Sequence, residues 1–578
     1  MLKSLVQTLL RGAGNAAGAQ DERLQLCIVR AAEHAAAGEH AAAVDDYRQT
    51  LQLQPDNPRL WCNYGAELSE TGRGVEAEDA YRHALELDPA LAQAWYNLGQ
   101  LQQERGDEDE AERCYRAALA LPDAATDAEL RQLAHSNLGL LLQRQGRLQE
   151  AVQLYRDALA VDPADASLRS NLLFLLTAMA EADAGLVLQE HRDWGRLHAQ
   201  AHAAHANSPE PERRLRIGYV SADFYAHPLA FHLWPLLEQR DRARTEVLCY
   251  SNGAIQDRMT ERLRACADGW RDIRRIGDAD ADARIRADAI DILVDLSGHT
   301  AGNRLALFAR KPAPLQATFL GYANTTGLDS MDYRITDAYA DPPGAESRYV
   351  ETLLRMPHSL WCYEPQCAPA PDLPAPLQEN GYATFASFNG AYKLNERLLR
   401  TWAAILHAAP GSRLLLVSVP RGAARQRVGA WLAAAGIGSE RYEMHARLAT
   451  ADFWAAHRRA DIALDPFPCN GGATTCETLW LGVPVLTLAG ATFVGRAGVS
   501  LLSNCGLQQL IARSPEEYVA LAAGLAQDPA RLAQVRGSLR RTLPASPLLD
   551  APAYTQALEA HYRAIWRLWC SRQGQARA

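Results

Sequence analysis

The chain has 578 residues, 48% of them hydrophobic and 22% charged, with a formal net charge of −9. That length accommodates several domains at roughly 100–200 residues each. The acidic balance, with no basic stripe, excludes the electrostatic footprint of a nucleic-acid binder. Eleven cysteines are scattered from Cys27 to Cys570 without a Cys-x-x-Cys pair, which argues against a disulfide scaffold and for a reducing compartment. No stretch approaches the ~20 apolar residues of a membrane helix. The short apolar run of residues 1–10, broken by Gln7, is too weak for a secretory signal. The expectation is a cytoplasmic protein with neither membrane nor nucleic-acid partners, and residues 1–23 are set aside as an N-terminal extension.

The first third repeats. Gly38, Gly72, Gly106 and Gly146 step by 34, 34 and 40, as do Ala43, Ala77, Ala111 and Ala151, and Tyr47, Tyr81, Tyr115 and Tyr155. A period of 34 marks tetratricopeptide repeats, each a helix pair. Trp61 and Trp95 stand three residues before Tyr64 and Leu98, which precede Gly65 and Gly99; Leu138 and Gly139 repeat that last pair. Pro55, Pro89 and Pro163 close their units, because proline cannot donate the next helical hydrogen bond. Small Gly and Ala residues are expected to let paired helices approach, with Tyr filling the gap between them. The extra residues of the fourth unit place a polar loop over 122–129, and 165–180 is expected to be a capping helix. The array is assigned to residues 24–183. It suits binding of a peptide or protein partner, with a purely structural docking or dimer surface as the alternative.

Residues 184–214 form a linker helix in this scheme. The stretch 181–205 carries His191, His198, His202 and His205, the last three at i, i+4 and i+7. No Cys or carboxylate completes a ligand set, so it is taken as an ordinary helix and no metal is assigned.

From residue 215 the rhythm changes to alternating strand and helix. Strands are expected at 215–221, 246–251, 290–296 and 315–320. After a Pro-rich crossing over 357–376, containing Pro365, Pro369, Pro371 and Pro374, they resume at 382–388, 413–419, 441–445, 461–464 and 483–488. This is the pattern of parallel sheets covered by helices. It gives two Rossmann-like lobes, 215–375 and 376–578. Ligands of such sheets bind beyond the carboxyl ends of the strands.

Five unusual segments follow strands and are expected to line one crevice: Asp223-Phe-Tyr-Ala-His227-Pro228, Ser297-Gly-His299-Thr300, Gly321-Tyr322-Ala-Asn324-Thr-Thr-Gly327, Asn389-Gly-Ala-Tyr-Lys393 and Cys469-Asn-Gly471-Gly472-Ala473-Thr474-Thr475. The last precedes a helix whose N-terminal amides and positive dipole end favour a diphosphate. Glu477, read as first-turn, could accept ribose hydroxyls or simply answer the dipole. Lys393, a cation where a helix opens, is expected to answer another charge, such as a leaving diphosphate. His227 could take a hydroxyl proton, hold sugar or acceptor, or merely cap a helix. His299, with Tyr322 and Asn324, is a weaker candidate for a sugar or acceptor pocket. Asp278-Ala-Asp280 is taken as a solvated face.

Helical repeats followed by these ordered passages resemble family 41 glycosyltransferases, of the O-GlcNAc transferase and SPINDLY type. The passages are Arg216-Ile-Gly-Tyr-Val-Ser-Ala-Asp-Phe224 with His227-Pro228, Asp295-Leu-Ser-Gly-His-Thr300, Pro312-Ala-Pro-Leu-Gln316, residues 321–327, Met331-Asp-Tyr-Arg-Ile-Thr-Asp337, Phe388-Asn389, Tyr392-Lys393 and residues 469–480. The resemblance implies a tetratricopeptide α-solenoid followed by a GT-B fold. It implies an inverting, metal-free transfer from a nucleotide sugar to Ser or Thr of a protein, with no cofactor. Carried over, His227 matches the active-site histidine and Lys393 the diphosphate lysine. Residues 471–475 match the phosphate loop and Glu477 the ribose acid, and Leu448 lies in the 447–450 stretch on the base side.

The chain also departs from the pattern. Animal enzymes have His-Thr-Thr where Gly472-Ala473-Thr474 stand here, a base-contacting histidine near Phe453, and Gln near Gly390. The passages 324–327 and 341–343 resemble SPINDLY, which the resemblance associates with GDP-fucose. Three readings follow: a UDP-GlcNAc-dependent protein transferase first, a GDP-fucose-dependent one second, and a nucleotide-binding repeat adaptor without turnover third.

Overall fold

The computed structural model describes residues 19–122, 127–179, 182–369 and 374–577. Most of the N-terminal extension therefore lies outside the described residues, as do part of the expected loop over 122–129, the end of the expected capping helix, and Pro371 of the Pro-rich crossing. Two compact units are present, one reaching residue 142 and taking in 421–423, the other holding the rest.

The first unit is a run of helices: α1 (Ala19–Ala37), α2 (His40–Leu53), α3 (Pro58–Glu70), α4 (Gly74–Leu87), α5 (Ala92–Arg105), α6 (Glu108–Ala120) and most of α7 (Ala128–Arg144). From α1 to α6, consecutive helices pack against each other. The repeated glycines divide into two kinds. A Cβ on Gly65 would sit 2.8 Å from the Tyr81 ring, and one on Gly99 2.8 Å from that of Tyr115, so these positions permit close approach. Gly38, Gly72 and Gly106 instead have φ of +77°, +77° and +82° with open space around them. They end helices in the left-handed conformation, which corrects the expectation that they serve helix–helix approach. Trp61 and Trp95 donate their indole N–H to the carbonyls of Pro55 and Pro89, at 2.6 and 2.9 Å, tying each unit's opening helix to the proline before it.

The second unit begins inside the fourth repeat. It holds α8 (Leu148–Val161), α9 (Ala166–Ala178) and α10 (Ala184–Leu197), whereas the sequence grouped residues 24–183 as one array. Asp183 caps α10. The helix stops at Leu197, so His198 is its C-cap residue while His202 and His205 lie in irregular chain beyond it. The helical i, i+4, i+7 spacing of those histidines is therefore not realised.

Two parallel sheets follow. The first contains β1 (Leu215–Ser221), β2 (Thr245–Ser251), β3 (Gly269–Asp272), β4 (Ile292–Asp295), β5 (Leu315–Thr318), β6 (Tyr333–Asp337) and β7 (Thr352–Met356), in spatial order 3-2-1-4-5-6-7. The second contains β8 (Thr384–Ser387), β9 (Arg413–Leu416), β10 (Tyr442–Met444), β11 (Ile462–Leu464), β12 (Val485–Leu488) and β13 (Ile511–Ala512), in order 10-9-8-11-12-13. The central strands are continuous apolar runs, as strands covered on both faces must be. Strands β3, β6, β7 and β13 were not expected. Three of them are sheet edges, and all are short or polar, so pairing with a neighbour supplies what local sequence lacks.

Four later helices bear on the site: α11 (Pro228–Gln239), α12 (Thr450–His457), α13 (Ala473–Trp480) and α14 (Ala551–Arg577). Helix α14 returns to the first sheet. It packs on α11, its Tyr562 hydroxyl lies 3.2 Å from that of Tyr219 on β1, and Trp566 donates to the Glu210 carbonyl at 3.0 Å. Residues 376–578 are thus not a single lobe: the last helix completes the shell of the first. Among the described residues, no helix is long and apolar enough to cross a membrane.

Candidate functional site

In both sheets the strand order reverses direction once, between β1 and β4 and between β8 and β11. Such reversals open a crevice at the carboxyl ends of the strands. The loops leaving β1, β8 and β11 carry His227, Lys393 and the Gly471–Gly472 turn.

In the second lobe, Lys393 ends a short 3-10 turn, and the helix behind it is capped by Asn395. Its Nζ donates to the Asn389 side-chain oxygen at 3.1 Å and to the Asn470 carbonyl at 2.7 Å. Burial works against the ammonium, but Tyr392, Cys469 and the Asp465 carboxylate outweigh it and hold its pKa above the ordinary lysine value. Asp465 itself is 1% exposed. It accepts the Gly471 N–H at 2.6 Å and the Thr487 hydroxyl at 2.7 Å. Burial pushes it up to about 6, against the pull of those two donors and of Lys393.

Helix α13 opens at Gly472 with no side-chain cap. The first N–H groups of an α-helix have no partner within it, so Ala473, Thr474 and Thr475 begin a helix whose positive end faces the loop. Thr475 is folded back: a Cβ on Gly471 would sit 2.5 Å from its hydroxyl, while one on Gly472 would meet the Trp361 ring at 3.2 Å. Glu477 is the fifth helical residue, and the first turn holds no acid, so it is not the helix-dipole carboxylate that the sequence allowed. The Trp454 indole N–H from α12 holds its carboxylate, and burial raises its pKa against that bond.

In the stretch expected to face the base, Leu448 is half-buried against the core, and Arg447 is exposed. Phe453 packs edge-on to Phe388 and His457 at 5.8 and 4.9 Å between centroids, and Phe388 stacks on His457 at 3.6 Å. The sequence pointed to this corner only by resemblance.

In the first lobe, His227 is the N-cap of α11, and its Nδ1 accepts the Leu229 N–H at 3.3 Å. An Nδ1 that accepts leaves the neutral ring's proton on Nε2. Burial lowers the imidazole pKa while Asp223, with Oδ2 3.9 Å away, raises it; the same burial raises Asp223. The ring is 36% exposed. Tyr225 lies 5.5 Å from it and feels the charge of Arg447, which brings the 447–450 stretch toward the His227 loop.

The structure corrects the pocket expected at His299, Tyr322 and Asn324. His299 is 1% exposed, with Nδ1 2.9 Å from the Ser170 hydroxyl and Nε2 2.8 Å from the Thr326 carbonyl. The Tyr322 hydroxyl lies 3.0 Å from Thr177 and 2.8 Å from His191 Nε2, and Asn324 donates to Thr177. These polar groups join α9 and α10 to the first sheet, and His299 and Tyr322 spend their hydrogen bonds inside the core. Of the five expected segments, those at 297–300 and 321–327 thus turn His299 and Tyr322 into the core. Asp280 is exposed, as the solvated-face reading expected, while Asp278 is half-buried and pairs with Arg304 at 2.6 Å. Among the described residues, no group of three or more His, Cys, Asp or Glu is placed to hold a metal ion.

The family model for Glycosyl transferase family 41 matches residues 160–366 and 377–558, well over half of the chain. The chain belongs to glycosyl transferase family 41. Tetratricopeptide repeat models match residues 58–91 and 90–164. Among curated family 41 relatives, the probable UDP-N-acetylglucosamine–peptide N-acetylglucosaminyltransferase SPINDLY of Petunia hybrida is 41% identical over 421 residues, 71% of this chain and 45% of that protein. The Arabidopsis thaliana SEC protein, described with the same activity, is 32% identical over 372 residues, 62% of this chain and 38% of its own length. The chain thus spans about half the length or less of the curated relatives it matches. Among solved structures, a mutant of the Thermobaculum terrenum O-GlcNAc transferase superposes with a TM-score of 0.75 at 34% identity, covering 96% of this chain and all of that one. The architecture is a tetratricopeptide helical region followed by the two-lobed GT-B arrangement.

Within the family 41 fold, sequence reasoning missed Asp465 and Trp454. Asp465 stands between a strand and Pro466, a position that reads as ordinary turn chemistry. Trp454 stands 23 residues before Glu477, and only the packing of α12 beside α13 joins them.

Proposed function

We propose that the chain transfers N-acetylglucosamine from UDP-GlcNAc to Ser or Thr hydroxyls of protein acceptors, with inversion at the anomeric carbon. The observation that carries this is Lys393, a cation pinned to the loop that opens α13, at the reversal point of the second sheet. Family membership and the names of the relatives and of the structural neighbour support the donor and the acceptor class.

In this reading the acceptor oxygen bonds to the anomeric carbon as the bond to the diphosphate breaks. The hydroxyl proton ends on the released nucleotide or in solvent. The leaving diphosphate gains negative charge, and Lys393 with the N-H groups of α13 stabilises that change. No metal step is assigned. Glu477, held by Trp454, takes the ribose, and the stretch around Leu448 takes the base. The repeats bind the acceptor chain. His227 orients rather than deprotonates, because its Nδ1 is occupied by the Leu229 amide and its Nε2 carries a hydrogen.

The GDP-fucose reading rested in part on residues 324–327 and 341–343. Thr325 and Thr326 bond Glu351, and Asp341 bonds Thr336 and Tyr349, all buried. Those two passages are spent on bonds within the first lobe. The departures at Gly390, Phe453 and residues 472–474 remain grounds for the GDP-fucose reading, and the UDP reading is placed first on the named activities of the relatives and of the structural neighbour. Calorimetric titration with UDP and with GDP, in EDTA, tests it, followed by mass-shift assay of peptides with UDP-GlcNAc. Preference for UDP with transfer is expected. Preference for GDP would move the fucosyl reading to first place, and binding without transfer would leave an adaptor.

A further inference from the structure

Asp465 and Lys393 grip one peptide unit. The Asn470 carbonyl accepts from Lys393 Nζ, and the N–H of the same peptide, that of Gly471, donates to Asp465 Oδ1 at 2.6 Å. The C=O and N–H of a trans peptide point to opposite edges of its plane, so the two side chains hold it from opposite sides. The next residue, Gly472, is the N-cap of α13. The orientation of this peptide therefore sets both the direction of Lys393 Nζ and the entry to the loop proposed to hold the diphosphate.

The Asp465 carboxylate has little room to do anything else. Its second oxygen takes the Thr487 hydroxyl from β12, and a Cβ on Gly498 would sit 2.6 Å from that oxygen. The first lobe supplies a comparison. Asp295 ends β4 as Asp465 follows β11, and it accepts the Ser297 and Gly298 amides and the Thr318 hydroxyl of the adjacent strand. The pattern is shared: an acid at the strand end, a threonine from the next strand, and an amide of its own loop. In the first lobe no lysine meets the anchored loop among the bonds of the described residues. In the second, the anchored peptide is also the one that meets Lys393.

We propose that Asp465 is a positioning residue for the donor diphosphate, aiming Lys393 through the Asn470–Gly471 peptide by accepting the Gly471 N–H. It touches neither donor nor acceptor. The inference rests on the assignment of Lys393 to the donor diphosphate. It requires hydrogen-bond acceptance at Oδ1 more than charge, so asparagine, which keeps an oxygen there and can turn its amide to the Thr487 oxygen, should substitute for it.

The test is a double-mutant cycle read by calorimetry, with UDP, or GDP if the wild-type chain prefers it. Asp465→Ala should weaken nucleotide binding about tenfold, and Asp465→Asn should restore it to within about twofold of wild type. In a Lys393→Ala background, Asp465→Ala should cause no further loss beyond about twofold, because the two act through one peptide. Asp295→Ala should lower the unfolding temperature and leave nucleotide affinity unchanged. If Asp465→Ala does not fold, Asp465→Ser, polar but too short to reach Gly471, takes its place in the cycle. Equal losses with and without Lys393, or wild-type affinity in Asp465→Ala, would overturn the inference while leaving the proposed function standing. A wild-type chain that binds neither nucleotide would overturn both.

Discussion

The Tyr322 hydroxyl lies 2.8 Å from His191 Nε2, joining the first sheet's loop to α10 inside the core. Both residues are buried, and the same hydroxyl meets Thr177 of α9. Tyr322→Phe should therefore cost about 1–3 kcal/mol of stability by stranding His191 Nε2, while Thr177 keeps the Asn324 amide. It should leave UDP affinity and the donor KM as they are. Denaturant unfolding and calorimetry check the two halves, and a large rise in donor KM with no stability loss would return Tyr322 to the sugar pocket.

The buried histidines make stability fall in mild acid. Burial pushes His191, His232 and His457 down to about 4 from an ordinary value of 6.5. Below pH 6.5 the unfolded chain takes up protons that the folded chain refuses, so each contributes stability that is lost as pH falls from 6.5 toward 4. The slope is at most about 1.4 kcal/mol per pH unit for each group. Asp295 and Asp465 act oppositely. Burial pushes both up to about 6, so the folded state gains relative stability as pH falls through 6 toward 3.8. Burial also pushes His205 down to about 4 and His299 well below the ordinary value, while Asp223, Asp337 and Asp461 move upward with the acids; the large downward shifts of the histidines set the expected net loss. Urea midpoints at pH 7.5 and pH 5 should show it, and His191→Gln should flatten the profile; a midpoint that rises toward pH 5 would contradict the burial argument.

Glu477 and Lys393 should separate by ligand. Glu477→Ala should weaken UDP binding while pyrophosphate binding stays near wild type, because the carboxylate is assigned to the ribose. Lys393→Ala should weaken both. Trp454→Phe removes the indole N–H that holds Glu477 and should weaken UDP alone, by a few-fold. Parallel titrations decide this, and loss of pyrophosphate binding in Glu477→Ala would place it on the phosphates instead.

His227→Asn distinguishes capping from orienting. Asparagine is a good N-cap and can accept the Leu229 N–H, so stability should change by less than about 1 kcal/mol. Transfer should fall while UDP affinity holds, since the Nε2–H is gone. Full transfer in His227→Asn would reduce His227 to a cap.

The two kinds of repeat glycine should differ on substitution. Gly38→Ala meets open space but keeps a positive φ, costing about 1–2 kcal/mol. Gly65→Ala drives a methyl to 2.8 Å from the Tyr81 ring in a packed interior and should cost more. Melting temperatures of the two variants give the order directly.

The repeat period, the alternation of central strands and the positions of Lys393 and the Gly471–Gly472 turn were legible in the chain because each is a local pattern. A 34-residue step, a buried apolar run and a glycine pair before a helix all declare themselves within a few residues. Edge strands such as β3 and β13 were not legible, because their conformation comes from the neighbour they pair with. The return of α14 to the first sheet was not legible either, since nothing in residues 551–577 names its partner. His299 and Tyr322 look like site residues in sequence, being polar and placed after strands. Only the packing of α9 and α10 against them shows that their hydrogen bonds are spent inside the core. Asp465 is the reverse case, an unremarked turn acid. Its role comes from holding one edge of a peptide whose other edge is held by a lysine 72 positions earlier, a relation that exists only once β8 and β11 lie side by side.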